Sequence, residues 1–237
     1  MAKALKYRHE LKYYINQHDY IALRCKLKNI MVVDSNTNAE GSYHIRSLYF
    51  DDIYNSSLYE KLSGVGNRQK LRMRIYNLSD KVIVLEKKLK NGDMVAKTRN
   101  QLSIEECRSI LNHDYDGFLY SDKQLLRELY MKHKTAHMKP IVLVDYEREA
   151  YVKKEGNVRI TFDKNLRTGL HSTELFNKHL PSLSVVDDDL VIMEIKYDEY
   201  IPSYIKNVLQ LPNRTRQTVS KYVMCRKFTK TNVWEDQ

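Results

Sequence analysis

Charged and apolar side chains alternate along several short stretches of this chain. Every second residue gives Arg8, Glu10, Lys12; then Arg68, Lys70, Arg72, Arg74; then Glu86 with Lys88, Lys97 with Arg99, Tyr146 with Arg148, and Glu194 with Lys196. The residues between them are largely apolar: Leu71, Met73 and Ile75; Val191, Met193 and Ile195; and, in another stretch, Val158, Ile160 and Phe162. Period two is the signature of a β-strand, whose successive side chains point to opposite faces. The pattern predicts strands over roughly 6–15, 42–50, 68–77, 81–90, 93–102, 139–152, 157–167 and 189–198. Asn91-Gly92-Asp93 joins two of them as a hairpin turn, and Gly156-Asn157 marks a second. Short connections favour antiparallel pairing.

Helical spacing takes over between the strand groups. Tyr20, Leu23, Leu27 and Ile30 fall on one side of a helix over 17–30. Ser103 with Glu106 forms a capping box for a helix to about 112, and Ser121 with Gln124 suggests another, with Leu125, Leu126, Leu129 and Tyr130 on its apolar side. Pro202 suits a first helical turn and Pro212 an end, and a last helix is expected over about 215–228. The stretch 168–188 has no period and reads as irregular. No repeat or linker divides the 237 residues, so one domain over 1–237 is expected, of α+β class.

About eight strands, each with a cationic face, raise the question of where those faces point. If the sheet closes with the charged face inward, the result is an eight-stranded antiparallel β-barrel with a polar interior and helices covering its apolar outside. Arginines and lysines facing one another across such an interior repel unless anions or carboxylates sit between them. The interior is then a receptor for something multiply negative. Composition agrees: 40 Lys and Arg against 30 Asp and Glu leave a formal charge of +10, spread through the chain. Polyanions are the natural partners of such a body.

Other signals exclude more than they suggest. Cys25, Cys107 and Cys225 are far apart, without metal-ligand spacing, and read as reduced thiols. The opening MAKALKYRHE lacks the apolar core of a signal peptide. No stretch approaches the ~20 apolar residues of a membrane span. A cytoplasmic protein is the expectation. Gly64-Val65-Gly66 lacks the Gly-Lys-Ser/Thr of a phosphate loop, and Asp187-Asp188-Asp189 reads as an acidic turn. The eight histidines show no zinc spacing. No RNP-like aromatic motif supports RNA binding, so nucleic acid is not an expected partner.

Nine segments in order carry a family resemblance: RHELKYYI at 8–15, SLYFDD at 47–52, KLRMRIY at 70–76, VLEKKLK at 84–90, VAKTR at 95–99, DYEREAY at 145–151, VRITFD at 158–163, VIMEIKYD at 191–198 and TVSKYVM at 218–224. Together they resemble the VTC domain of polyphosphate polymerases, within the triphosphate tunnel metalloenzyme superfamily. The resemblance implies an eight-stranded barrel around a tunnel for phosphate chains, and transfer of the ATP γ-phosphate to a growing polyphosphate, dependent on Mn²⁺ or Mg²⁺. Carried over by position, it implies catalytic roles for Lys12, Arg72, Arg74, Lys88, Arg148 and Lys221. It implies phosphate binding by Lys97, Tyr146, Arg159 and Lys196, with Lys61 as the basic residue between SLYFDD and KLRMRIY. Glu194 would be the metal carboxylate, and Glu10 and Glu86 would either bind metal or hold Lys and Arg in place. Lys221 would stand at the tunnel mouth beside Arg214 and Arg216. The superfamily's opening E-x-E-x-K reads Arg8-His9-Glu10-Leu11-Lys12 here, a base replacing the first acid, which fits the polymerase branch better than the triphosphatase branch. A non-catalytic polyphosphate or inositol-phosphate binding module and a triphosphate hydrolase are the alternatives.

Overall fold

The computed structural model describes residues 5–38, 40–187, 189–210 and 215–231. Its strands are β1 (Arg8–Ile15), β2 (Val32–Val33), β3 (Ser42–Asp51), β4 (Asn67–Tyr76), β5 (Ser79–Asn91), β6 (Met94–Leu102), β7 (Lys139–Lys153), β8 (Val158–Thr168), β9 (Leu183–Ser184) and β10 (Val191–Tyr197). Its helices are α1 (Gln17–Lys28), α2 (Ser56–Leu62), α3 (Ile104–Leu111), α4 (Gln124–Ala136), α5 (Ser203–Val208) and α6 (Lys221–Thr231).

Eight strands close into a ring. Pairing runs β7-β3-β4-β5-β6-β1-β10-β8, and β8 pairs back onto β7, every pair antiparallel. The closure removes the open edges a flat sheet would carry. Short β2 and β9 extend from β7 and β8. The two hairpins form where expected. Gly92 and Gly156 both take positive φ, and a Cβ on Gly156 would lie 2.4 Å from the Tyr200 carbonyl oxygen, so glycine is required there.

The period-two pattern sorts the two faces as the hydrophobic effect demands. Leu71, Met73, Ile75, Ile83 and Leu85 point outward and pack under Cys107 and Ile110 of α3 and Leu125, Leu126 and Leu129 of α4. Ile160, Phe162, Met193 and Ile195 do the same under Tyr20, Leu23 and Leu27 of α1 and Ile205 of α5. A third cluster occupies inward positions at one end: Ile45, Val142, Val144 and Ile192 pack with Val219, Tyr222 and Cys225. Helix α6 therefore sits on the apolar part of the inner wall, and the charged part of that wall begins where α6 begins.

Several boundaries depart from the sequence pattern. The last helix starts at Lys221 rather than near 215, because 215–220 runs extended across the wall: the Gln217 amide donates to the Lys12 carbonyl at 2.8 Å. Ser121 does not cap α4; its hydroxyl takes the Lys123 amide, and the helix begins at Gln124. Pro202 stands just before α5 as its N-cap residue. Pro212 and Arg214 lie outside the described residues. Helix α2 has no apolar periodicity of its own; the buried Asp51 carboxylate fixes its first turn by accepting the Ser57 and Leu58 amides at 2.9 and 3.3 Å. Within 168–188, read as irregular, the described residues form strand at Thr168, where β8 ends, and at the two residues of β9. Among the described residues no helix is long and apolar enough to cross a membrane.

Candidate functional site

The ring encloses a cavity of about 1370 Å³. Among the described residues, eighteen basic side chains but only three carboxylates (Glu10, Asp93 and Glu194) line it. The bases come from β1, β4, β5, β6, β7, β8 and β10, from helices α2 and α6, and from flanking segments. Of the fourteen residues singled out in the sequence, thirteen line this space: Lys12, Arg72, Arg74, Lys88, Arg148, Lys221, Lys97, Tyr146, Arg159, Lys196, Lys61, Glu194 and Glu10. The fourteenth, Glu86, is buried behind the lining and is gripped by bases.

On the β1–β10 wall, antiparallel register sets Lys12 opposite Glu194 and Glu10 opposite Lys196. Lys12 Nζ lies 3.5 Å from Glu194 and 3.3 Å from Glu10, Lys88 reaches Glu10 at 2.7 Å, and Lys196 pairs with both carboxylates. Burial pushes the Glu10 and Glu194 carboxyls up. Lys12, Lys88 and Lys196 together outweigh that, aided by Arg148 at Glu194, and both stay well below the usual carboxylate range. Three lysines thus share two carboxylates. Burial also lowers Lys12, yet Glu10 and Glu194 raise it more, so it holds its proton firmly. Lys88 holds its own less firmly: burial, with Lys12 and Lys196 nearby, brings it down to about 8 despite Glu10.

On the β4–β5–β6 wall, Arg72, Glu86 and Arg99 lie side by side across the three strands. Arg72 donates to Glu86 at 2.8 Å and to the Tyr49 hydroxyl at 2.8 Å, while Arg74 Nε donates to the Ser47 hydroxyl at 3.0 Å. Lys97 pairs with the same Glu86. Burial, with Arg72 and Arg74 close by, takes Lys97 down to about 7 against the pull of Glu86. Arg72, Arg74 and Lys97 overcome the desolvation of Glu86 and keep it ionised. Glu86 therefore has three basic neighbours and no face on the cavity, the surroundings of a carboxylate that holds bases in place.

The β7–β8 wall adds a residue that sequence reasoning missed. Asp163, buried at the end of the VRITFD segment, accepts two hydrogen bonds from Arg148, at 2.6 and 2.7 Å, and pairs with Lys221 at 2.5 Å. This bidentate grip fixes the plane of the guanidinium and ties α6 to the barrel. Burial raises Asp163, but Arg148 and Lys221 hold it at about 2. Its signal was present: Arg159, Thr161 and Asp163 share one face by alternation. Tyr146 accepts from Arg74 at 2.8 Å, and Lys221 Nζ lies 4.8 Å from the centre of its ring. Burial raises this phenol, but Arg148, Arg74 and Lys221 bring it below its ordinary value. Arg159 stands nearer the rim, held by Asp34 at 2.5 Å and the Tyr43 hydroxyl at 3.1 Å. Arg216, also in the lining, pairs with Asp93 at 2.7 Å.

Among the described residues no three His, Cys, Asp or Glu side chains gather as a ready-made metal site. Glu10 and Glu194 nevertheless offer hard oxygen donors, both ionised and both facing the cavity. A hard divalent cation that arrives with phosphates uses one or two protein carboxylates and takes its other ligands from phosphate and water. The donor set fits a cation of that kind.

A closed antiparallel barrel with a cationic interior defines the class: a tunnel-like fold around an enclosed basic cavity. The chain belongs to the VTC family, since the family's domain model matches residues 7–230. No curated protein sequence matches it. Among solved structures, a proposed adenylate cyclase from Bacillus halodurans aligns over 97% of this chain and 91% of its own, with a TM-score of 0.49 and 11% identity. A protein of Pyrococcus horikoshii aligns over 93% of this chain and 99% of its own, with a TM-score of 0.48 and 11% identity. At these scores the likeness bears on neither substrate nor mechanism.

Proposed function

We propose that this chain is a polyphosphate polymerase: it transfers the γ-phosphoryl group of ATP to the end of a polyphosphate chain inside the barrel. The observation that carries the reading is the convergence of bases from seven strands of a closed ring on one enclosed space, where they far outnumber the carboxylates. Phosphoryl transfer asks for positioning and charge neutralisation more than for a protein nucleophile. Arg72, Arg74 and Arg148 supply planar donor forks already oriented by Glu86 and Asp163. Lys12, Lys88 and Lys221 supply point charges around them.

In this reading a terminal oxygen of polyphosphate, or of orthophosphate at the start, attacks the γ-phosphorus. The new O–P bond forms as the bond from the γ-phosphorus to the β,γ-bridging oxygen breaks, and ADP leaves with that electron pair. Arg72, Arg74, Arg148 and Lys221 bear on the negative charge of the transferring group, while Lys97, Arg159, Lys196 and Lys61 hold the flanking phosphates. The Tyr146 hydroxyl donates to a phosphate oxygen. Glu194, with Glu10, would hold Mn²⁺ or Mg²⁺, which when bound neutralises phosphate oxygens.

Product analysis tests the proposal. Incubation with ATP and Mn²⁺ or Mg²⁺ should yield acid-labile long-chain phosphate and ADP. Release of orthophosphate alone would replace the polymerase with a hydrolase, and tight phosphate binding without turnover would make it a binding module.

A further inference from the structure

Several lysines of the cavity wall are tied to an acid. Lys12, Lys88 and Lys196 share Glu10 and Glu194, Lys97 holds Glu86, and Lys221 holds Asp163. An acid partner favours the ammonium, which has no lone pair to attack with. Lys70 has the opposite surroundings. It lines the cavity from β4, with Lys88 directly across on β5 and Arg68 two residues away on the same face. Among the described residues no carboxylate is in ion-pairing contact with it. Its Nζ lies 3.0 Å from the Ser220 hydroxyl and 4.5 Å from the centre of the Tyr222 ring, so the side chain is fixed against the start of α6. Burial, then Lys88, Lys12, Arg68 and Lys61, lower it well below the ordinary lysine value of 10.5. All of these favour the uncharged amine. A desolvated lysine beside other cations is an activated nucleophile.

We infer that Lys70 is a modification site: its amine takes the acyl group of a small acyl phosphate drawn into the cavity and releases inorganic phosphate. This goes beyond the polymerase reading and does not rest on it, since it needs only an enclosed cationic space with a nucleophile in its wall. An acyl phosphate matches both features. Its phosphate makes it an anion, which the excess of bases attracts, and the same phosphate is the leaving group that activates the acyl carbon. The amine lone pair attacks the carbonyl carbon. The N–C bond forms as the bond from that carbon to the phosphate oxygen breaks. Phosphate leaves with the electron pair and takes up the proton that nitrogen gives up. Lys88, Lys12 and Arg68 bear on the charge that builds on the departing phosphate. The product is a neutral amide whose N–H can still donate to the Ser220 hydroxyl. No oxidant, reductant or metal enters the step. Acylation removes the charge of Lys70 for good and so acts as a covalent brake on the cavity's attraction for anions.

The test follows every lysine of the full chain by site-resolved mass spectrometry at about pH 7.4, where an ordinary lysine carries roughly one free amine in a thousand. One sample receives acetyl phosphate and another phenyl acetate, a neutral ester. Lys26 and Lys28 of α1, both exposed, are the references. With acetyl phosphate, Lys70 should be acetylated at least about tenfold faster than either reference. Added inorganic phosphate should slow Lys70 and leave the references unchanged. With phenyl acetate the preference for Lys70 should shrink, because nothing draws a neutral ester inward. Acetylation of Lys70 at the references' rate would overturn the inference. An equal preference with both reagents would overturn the acyl phosphate as the matching electrophile, and faster acetylation of Lys88 or Lys97 would overturn the assignment to Lys70. The readout is a covalent mass and not turnover, so a chain that makes no polyphosphate can still acetylate at Lys70, and the two readings fail separately.

Discussion

The β1–β10 wall and the β4–β5 ends present the same kinds of base to the same cavity and differ in one respect. On the first wall Glu10 and Glu194 are interleaved with Lys12 and Lys196, and Lys88 of β5 reaches across to Glu10, so each ammonium is oriented before any ligand arrives. At the second, Lys70, Lys90, Lys61 and Arg68 stand together; among the described residues no carboxylate is in ion-pairing contact with them, and Glu60 near Arg68 and Asp93 and Glu10 near Lys90 act only from farther off. A balanced wall is inexpensive to fold and fixes geometry. An unbalanced one is strained by repulsion that only an anion relieves. Binding to the first therefore gains orientation, whereas binding to the second gains relief, and relief should register as ligand-induced stabilisation.

The sharpest way to break this comparison is to remove an acid that orients bases. Asp163→Ala leaves Arg148 and Lys221 buried without their partner, and a loss of about 3–5 kcal/mol is expected. Chemical denaturation reads it, and saturating polyphosphate should restore part of the loss. An unchanged midpoint would mean that Asp163 grips nothing that matters. Next in size is Glu194→Gln. Metal-dependent transfer from ATP should fall at least about tenfold, the effect of a lost charge-assisted contact, while metal-free polyphosphate affinity holds or rises. A parallel loss of both would make Glu194 a scaffold residue.

Acidity gives a third test, with opposite signs for binding and folding. Lys97 and Lys88, brought to about 7 and about 8, lie below the ordinary lysine value of 10.5. Between those folded values and 10.5 the unfolded chain binds more protons, so stability contributed by these groups rises with pH. The cost of protonating them in the barrel is fully present below about 7. Phosphate affinity runs the other way, falling about tenfold between pH 7 and 9 as the ammonium charges are lost. Titrations and unfolding curves over that interval would contradict the assignment if the two quantities moved together. The smallest effect belongs to the outer face: Lys87, between Glu86 and Lys88, points outward to Glu128. Lys87→Gln should cost no more than about 1 kcal/mol and leave phosphate affinity untouched.

The range of the forces involved decided which features were legible in the sequence. Alternation is local, so the eight strands and their inward bases could be placed from period two alone, as could the hairpins at Gly92 and Gly156. Ring closure through the β7–β8 pairing was accessible only as the arrangement that gives the cationic faces a common interior. Features set by distant partners were not legible. Helix α2 depends on Asp51, which also receives the Tyr222 hydroxyl from α6. The extended run at 215–220 depends on the backbone of Lys12. Asp163 and Glu86 look alike as acids among bases. Only three-dimensional placement shows both turned to the bases behind the cavity lining, whereas Glu10 and Glu194 face it. Lys70 was visible as one base in an alternating row, but its setting against Ser220 and Tyr222 is a product of the tertiary fold.

One titration addresses the central claim most directly: calorimetry of tripolyphosphate against the wild type, Arg72→Gln and the outward control Lys87→Gln. One molecule of triphosphate should bind per chain to the wild type and to Lys87→Gln with equal affinity. Arg72→Gln should bind it about 10- to 100-fold more weakly, as expected for loss of a hydrogen bond to a charged group. Equal affinity in all three proteins, or no saturable binding to the wild type, would contradict a phosphate-binding interior.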